Sequence, residues 1–163
     1  MPDPEHPSVR GLVEDLLVMK GAHLTLDEAL AGFPATLQGA KPCGVPHSAW
    51  ELLEHMRLTQ EDILDFSRNP AYQERKFPDD YWPATSAPPY DKAWDNAVQK
   101  FQRDLAEMQA LVADTEADLL TQFPHGQGQT LLREALIVAD HNSYHLGQLT
   151  FLRKMLEAQA AQG

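Results

Sequence analysis

Apolar residues recur at intervals of three and four along most of this chain, and the alternation of half-buried strands is nearly absent. That period commits the chain to helices with one face to bury, so the fold class read from the sequence is all-α. The first segment spans Ser8 to about Met19. Val9, Leu12, Val13, Leu16, Leu17 and Met19 make a wide apolar face that must be covered, and Gly21 stops the helix. Thr25 and Glu28 have capping-box spacing, which predicts a short helix to about Phe33, ahead of Pro34. Pro34 to Pro46 is rich in proline and glycine and reads as a loop. Ser48 and Glu51 repeat the capping-box spacing and open a long helix to about Phe66, with Ala49, Leu52, Leu53, Met56 and Ile63 on its apolar face.

Ser67 to Pro89 mixes five prolines with Tyr72, Phe77, Tyr81 and Trp82. A stretch this long without a helical period is uncommon in a small domain unless it wraps on the rest, and its aromatics predict a crossover docked on the bundle. A third long helix runs from about Asp91 to Val112, and Thr115 to Phe123 reads as a further short turn of helix. Thr130 caps a fourth that reaches about Glu157, leaving Ala158 to Gly163 as a frayable end. Four long helices with one long connection between the second and third describe a four-helix bundle. No repeat or internal boundary interrupts residues 1–163, so one domain is expected.

Composition narrows the function. With 163 residues the chain buries enough core to fold without a disulfide or structural metal. Its formal charge of −11 opposes phosphate binding, so no nucleic-acid partner is expected. No run approaches the roughly 18 apolar residues of a membrane span, and Met1-Pro-Asp-Pro-Glu-His lacks the basic and apolar regions of an export signal. The expectation is a cytoplasmic protein with no membrane partner. Cys43, the one cysteine, has no internal disulfide partner and reads as a loop residue.

The chemistry concentrates in Ala139-Asp-His141-Asn-Ser-Tyr-His145-Leu-Gly-Gln148, inside the fourth long helix. Residues four apart differ by about 40° around a helix and hold their Cβ atoms roughly 6 Å apart, so His141 and His145 can converge on one cation. On the same wheel Ile137, Val138, Leu152 and Leu156 surround the pair, which predicts that both rings point into the bundle from the middle of the apolar face. Buried neutral imidazoles need partners, and a cation between them satisfies one nitrogen of each; two core histidines bonded to neighbouring groups are the alternative. A metal site needs a third ligand. His55, on the flank of the second long helix, is one candidate and His47, at its start, is the rival. His125 reads as a gate or a bystander, and His6 and His23 as surface or loop residues. Glu134 and Gln148 share the wheel sector of the pair, as candidates for proton transfer and ligand orientation. Asp62 and Asp140 are candidates to brace a ligating ring, with solvated carboxylates as the alternative.

Trp50-Glu-Leu-Leu-Glu-His55 with Ile63-Leu, then Leu132-Arg-Glu-Ala, His141-Asn-Ser-Tyr-His145-Leu-Gly-Gln148 and Leu152-Arg, together resemble the DinB-like (DinB/YfiT-like) superfamily of four-helix-bundle metalloenzymes. The resemblance spans almost the whole chain, including the long crossover. It implies an up-down-down-up helix order and a divalent ion, zinc or nickel, bound by His55, His141 and His145. Members with assigned activity include thiol-dependent S-transferases and a mycothiol-dependent maleylpyruvate isomerase.

Three imidazoles leave a bound ion its double charge, which suits hydrolysis or thiol transfer on a small-molecule substrate, with a low-molecular-weight thiol as the possible co-substrate. The alternative is a non-catalytic, small-ligand-binding or stress-associated bundle with a structural or vestigial metal. A homodimer is a further expectation, for which Tyr81, Trp82 and Tyr90 are the candidate contact.

Overall fold

A computed structural model describes residues 8–19 and 21–162. Among these the chain forms five α-helices, α1 (Val9–Leu17), α2 (Leu26–Leu30), α3 (Ala49–Arg68), α4 (Ala93–Ala113) and α5 (Leu131–Ala160), with short 3-10 turns at Ala35–Leu37 and Asp79–Tyr81. There is no β-strand among them, only an isolated bridge between Gln122 and Thr130. Among the described residues no helix is long and apolar enough to cross a membrane. His6, expected at the surface, lies outside the described residues.

Polar side chains cap the starts of α1, α2, α3 and α5, whereas α4 follows Lys92 without a side-chain cap. Thr25 and Ser48 both complete capping boxes, with Glu28 and Glu51 returning a carboxylate to the cap residue's own amide. Thr130 accepts from the Arg133 amide to open α5. The ends are less regular. α1 stops at Leu17, before the expected Met19 and Gly21, as Met19 takes a φ of 57° in the left-handed region. α2 closes at Leu30 rather than Phe33.

α1 and α3 each pack against both α4 and α5, and the four enclose two apolar clusters. One, around Leu53, Met56, Phe101 and Leu149, includes α2; the other joins Val13 and Leu17 to Leu64, Met108, Val112 and Val138. A buried polar chain crosses between them. The Asn142 side-chain amide donates to the Gln60 carbonyl oxygen at 2.8 Å, and Gln60 donates to the backbone oxygen of Phe101 at 2.7 Å, tying α5 to α3 and α4.

Two arginines close helix ends on neighbouring elements. Arg10 of α1 donates to the carbonyls of Val112, Asp114 and Ala117, where α4 ends. Arg153 of α5 donates to the carbonyls of Ala29 and Ala31 at 2.8 Å each, and its guanidinium lies over the Phe33 ring.

Two sequence expectations are corrected. Thr115 to Phe123 is not helical: Asp114 and Asp118 side chains accept from backbone amides two residues on and hold turns instead. The wide apolar face of the first segment is only half covered, since Val13, Leu17 and Met19 are buried while Val9, Leu12 and Leu16 stay exposed.

Candidate metal centre

The Ser48 capping box sets the register of α3, and His55 follows it by about two turns. Its ring is buried against α5. His141 and His145 reach it from α5, their ring centroids 4.5 Å apart and 4.9 and 4.7 Å from that of His55. One ligand nitrogen from each ring lies within 4.8 Å of the others, and the Nε2 atoms of His55 and His141 are 3.1 Å apart. Donors about 2.0–2.1 Å from a tetrahedral ion stand about 3.3 Å from one another. The His55–His141 pair matches that spacing, and the three rings could hold one small cation.

The outer nitrogens are already committed. The Nδ1–H of His55 donates to the Tyr81 backbone carbonyl at 2.9 Å. A carbonyl only accepts, so that ring keeps its proton on Nδ1 and turns the Nε2 lone pair toward His141. The Nδ1–H of His145 donates to Gln148 Oε1 at 2.7 Å, and the Gln148 amide nitrogen is oriented by donating to the Tyr144 hydroxyl at 3.2 Å. Two of three rings thus present a free Nε2, the form a metal requires. Burial also favours the neutral form of all three. Burial, then the rings of His145 and His55, push His141 down to about 3. Burial lowers His55 against the opposing Tyr81 hydrogen bond, and lowers His145 against the opposing bond to Gln148.

The crossover supplies the outer wall. The Trp82 indole stacks on His55 at 3.9 Å with the planes 2° apart, and on His47 at 4.0 Å, so it lies between the two imidazoles. Asp62, buried on α3, accepts from the Tyr81 hydroxyl at 2.6 Å and the Tyr72 hydroxyl at 3.0 Å, with Arg75 3.5 Å away. It is not a solvated carboxylate, and it braces His55 at one remove, by fixing the residue whose carbonyl holds the ring.

The other candidates separate cleanly. His47 is half-buried against Trp82 and is not among the three converging rings. His125 lies elsewhere, with Nε2 donating to the Phe66 carbonyl at 2.8 Å. His23 is exposed, as expected. Glu134 is buried, but its carboxylate is bound by Arg133 at 2.5 Å. Asp140 is exposed. The wheel misplaced the pair slightly. The buried stripe of α5 is centred on Asn142 and Leu149 and includes His145, while His141 sits at its edge and is only half-buried. Tyr81 and Trp82 are half-buried and engaged with Asp62 and His55, and Tyr90 stays exposed. Sequence reasoning missed the Tyr81 carbonyl and the Trp82 stack, for which the only signal was the density of aromatics in the crossover.

The family model of the DinB superfamily matches residues 21–149, a span that contains all three histidines. No curated protein and no solved structure matches the chain.

Proposed function

The chain belongs to the DinB superfamily, and from that membership we propose that it is a metal-dependent enzyme, a hydrolase or a low-molecular-weight-thiol S-transferase, acting on a small molecule in the cytoplasm. His55, His141 and His145 hold one divalent ion, zinc or nickel, in this reading. The observation that supports it is the convergence of three neutral imidazoles from two helices, two of them with Nδ1 locked outward by Tyr81 and Gln148. A lone pair of histidines on one helix would not need that bracing. We further propose that α1, α3, α4 and α5 run in the up-down-down-up order of a four-helix bundle, and that residues 1–163 form one domain.

A divalent ion bound there supplies a Lewis acid that makes water or a thiol nucleophilic near neutral pH. The chain's own residues do the rest. Tyr81 and Gln148 fix the azimuth of two ligand rings, Asp62 anchors Tyr81, and Trp82 covers His55 and keeps water from one side of it. Three protein ligands leave a coordination position for a reactant, which is the arrangement of catalytic rather than structural sites.

The test begins with elemental analysis of protein purified without a nickel column. About one ion per chain, removed by chelator and absent from His141→Ala, is expected. Loaded protein is then screened with low-molecular-weight thiols and electrophilic acceptors. Thiol consumption that requires the ion supports transfer, and its absence with every thiol leaves hydrolysis. Protein that binds no ion under any loading condition ends the metalloenzyme reading.

A further inference from the structure

Beside the three rings, α5, Leu52 of α3 and the loop leading into α3 enclose a cleft of about 160 Å³. Leu52 precedes His55 by about one turn on α3, while Gln148 and Leu152 follow His145 by about one and two turns on α5. With Val45 and Met155 they make a mainly apolar lining, and Phe151, 67% exposed, stands at the mouth. Among the described residues no charged side chain lines it. The two polar side chains, His47 and Gln148, are the ones that connect it to the ligand rings: Gln148 through its bond to His145, His47 through Trp82 to His55.

Size and chemistry define the occupant. An apolar cavity of about 150 Å³ accommodates a benzene ring. A cleft of this volume without a cationic or anionic wall gains from an uncharged apolar group and penalises a charged one, which would lose its hydration with no partner. Its position one turn from the rings places such a group within a single molecule's reach of the histidine cluster.

We propose that this cleft is the specificity site of the enzyme, and that it takes the uncharged apolar portion of the substrate, a group about the size of one phenyl ring or a short branched alkyl chain, while the polar head lies at the three histidines. The proposal rests on the metal-centre reading for the head and on the cleft alone for the tail.

Cobalt-loaded protein separates the two. Phenylacetohydroxamate and acetohydroxamate share a metal-binding head and differ only in the tail, and the cobalt absorption spectrum reports the head. The phenyl compound is expected to bind about tenfold more tightly or better. Its ring protons should show nuclear Overhauser contacts to the Met155 and Leu152 methyls in the zinc-loaded protein. Met155→Glu, at a half-buried position, should abolish the tail's advantage while the cobalt spectrum persists. Equal affinities of the two compounds, with the head seen at the metal, overturn the cleft and leave the metal centre standing. An advantage that survives Met155→Glu also overturns it, because the tail then lies elsewhere. Failure to bind cobalt at all removes the metal centre and this proposal with it.

Discussion

At the scale of single residues, the histidine cluster depends on groups that never touch the cation position. Gln148 is mostly exposed, yet it holds His145 through a 2.7 Å hydrogen bond. Losing such a partner typically weakens metal affinity by about 10–100-fold, so Gln148→Leu should lose zinc to a competing chelator in that range while folding normally. His141→Ala removes a ligand outright and should bind no stoichiometric ion by elemental analysis. Away from the site, Gln60→Leu leaves the buried Asn142 amide without its acceptor, while the Phe101 carbonyl keeps its partner within α4. A cost of about 1–3 kcal/mol for the one group left unsatisfied is expected, read as a lower urea midpoint with an unchanged slope.

At the scale of elements, the crossover from α3 to α4 behaves as part of the site. It is fastened by Tyr72 and Tyr81 on Asp62, and by the Ser48 hydroxyl, which donates to the Ser86 carbonyl at 2.5 Å. Gly39 permits a close approach, since a Cβ there would collide with Ala87 of the crossover. Burial and the Asp62 carboxylate push the Tyr72 hydroxyl up to about 12. A folded pKa above the unfolded value of about 10 means that the contribution is complete below pH 10 and is lost as the pH rises from 10 toward 12. Stability should therefore fall over that window, and Tyr72 should titrate late in the absorbance of tyrosinate. Asp62→Asn, which removes the charge that raises it, should shift that titration to lower pH. The same substitution should loosen Trp82 from His55, seen as a change in indole fluorescence.

At the scale of the molecule, the three rings join only α3 and α5, so an ion held between them would cross-link the two helices. A ligand bound by the folded chain alone stabilises it by about 2.7 kcal/mol at a concentration a hundredfold above its dissociation constant. For a domain of this size that raises the melting temperature by several degrees. Zinc should produce that rise in thermal denaturation, chelator should reverse it, and His145→Ala should melt at one temperature with or without zinc.

The features that could be read from the chain alone are local ones. Ser48 with Glu51, Thr25 with Glu28, and Thr130 each act on amides within three residues, so the starts of α2, α3 and α5 follow from composition and spacing. The shared face of His141 and His145 follows from the helical repeat in the same way. Which of His47 and His55 meets them on α3 does not, and motif resemblance had to supply it before the packing of α3 against α5 placed the ring. The Tyr81 carbonyl, the Trp82 stack and the cleft beside them depend on how a segment of irregular backbone lies across α3, with partners 26 and more residues apart. Such contacts are chosen by the shape and polarity of a surface that exists only once the helices have packed, and no periodicity in the crossover encodes them.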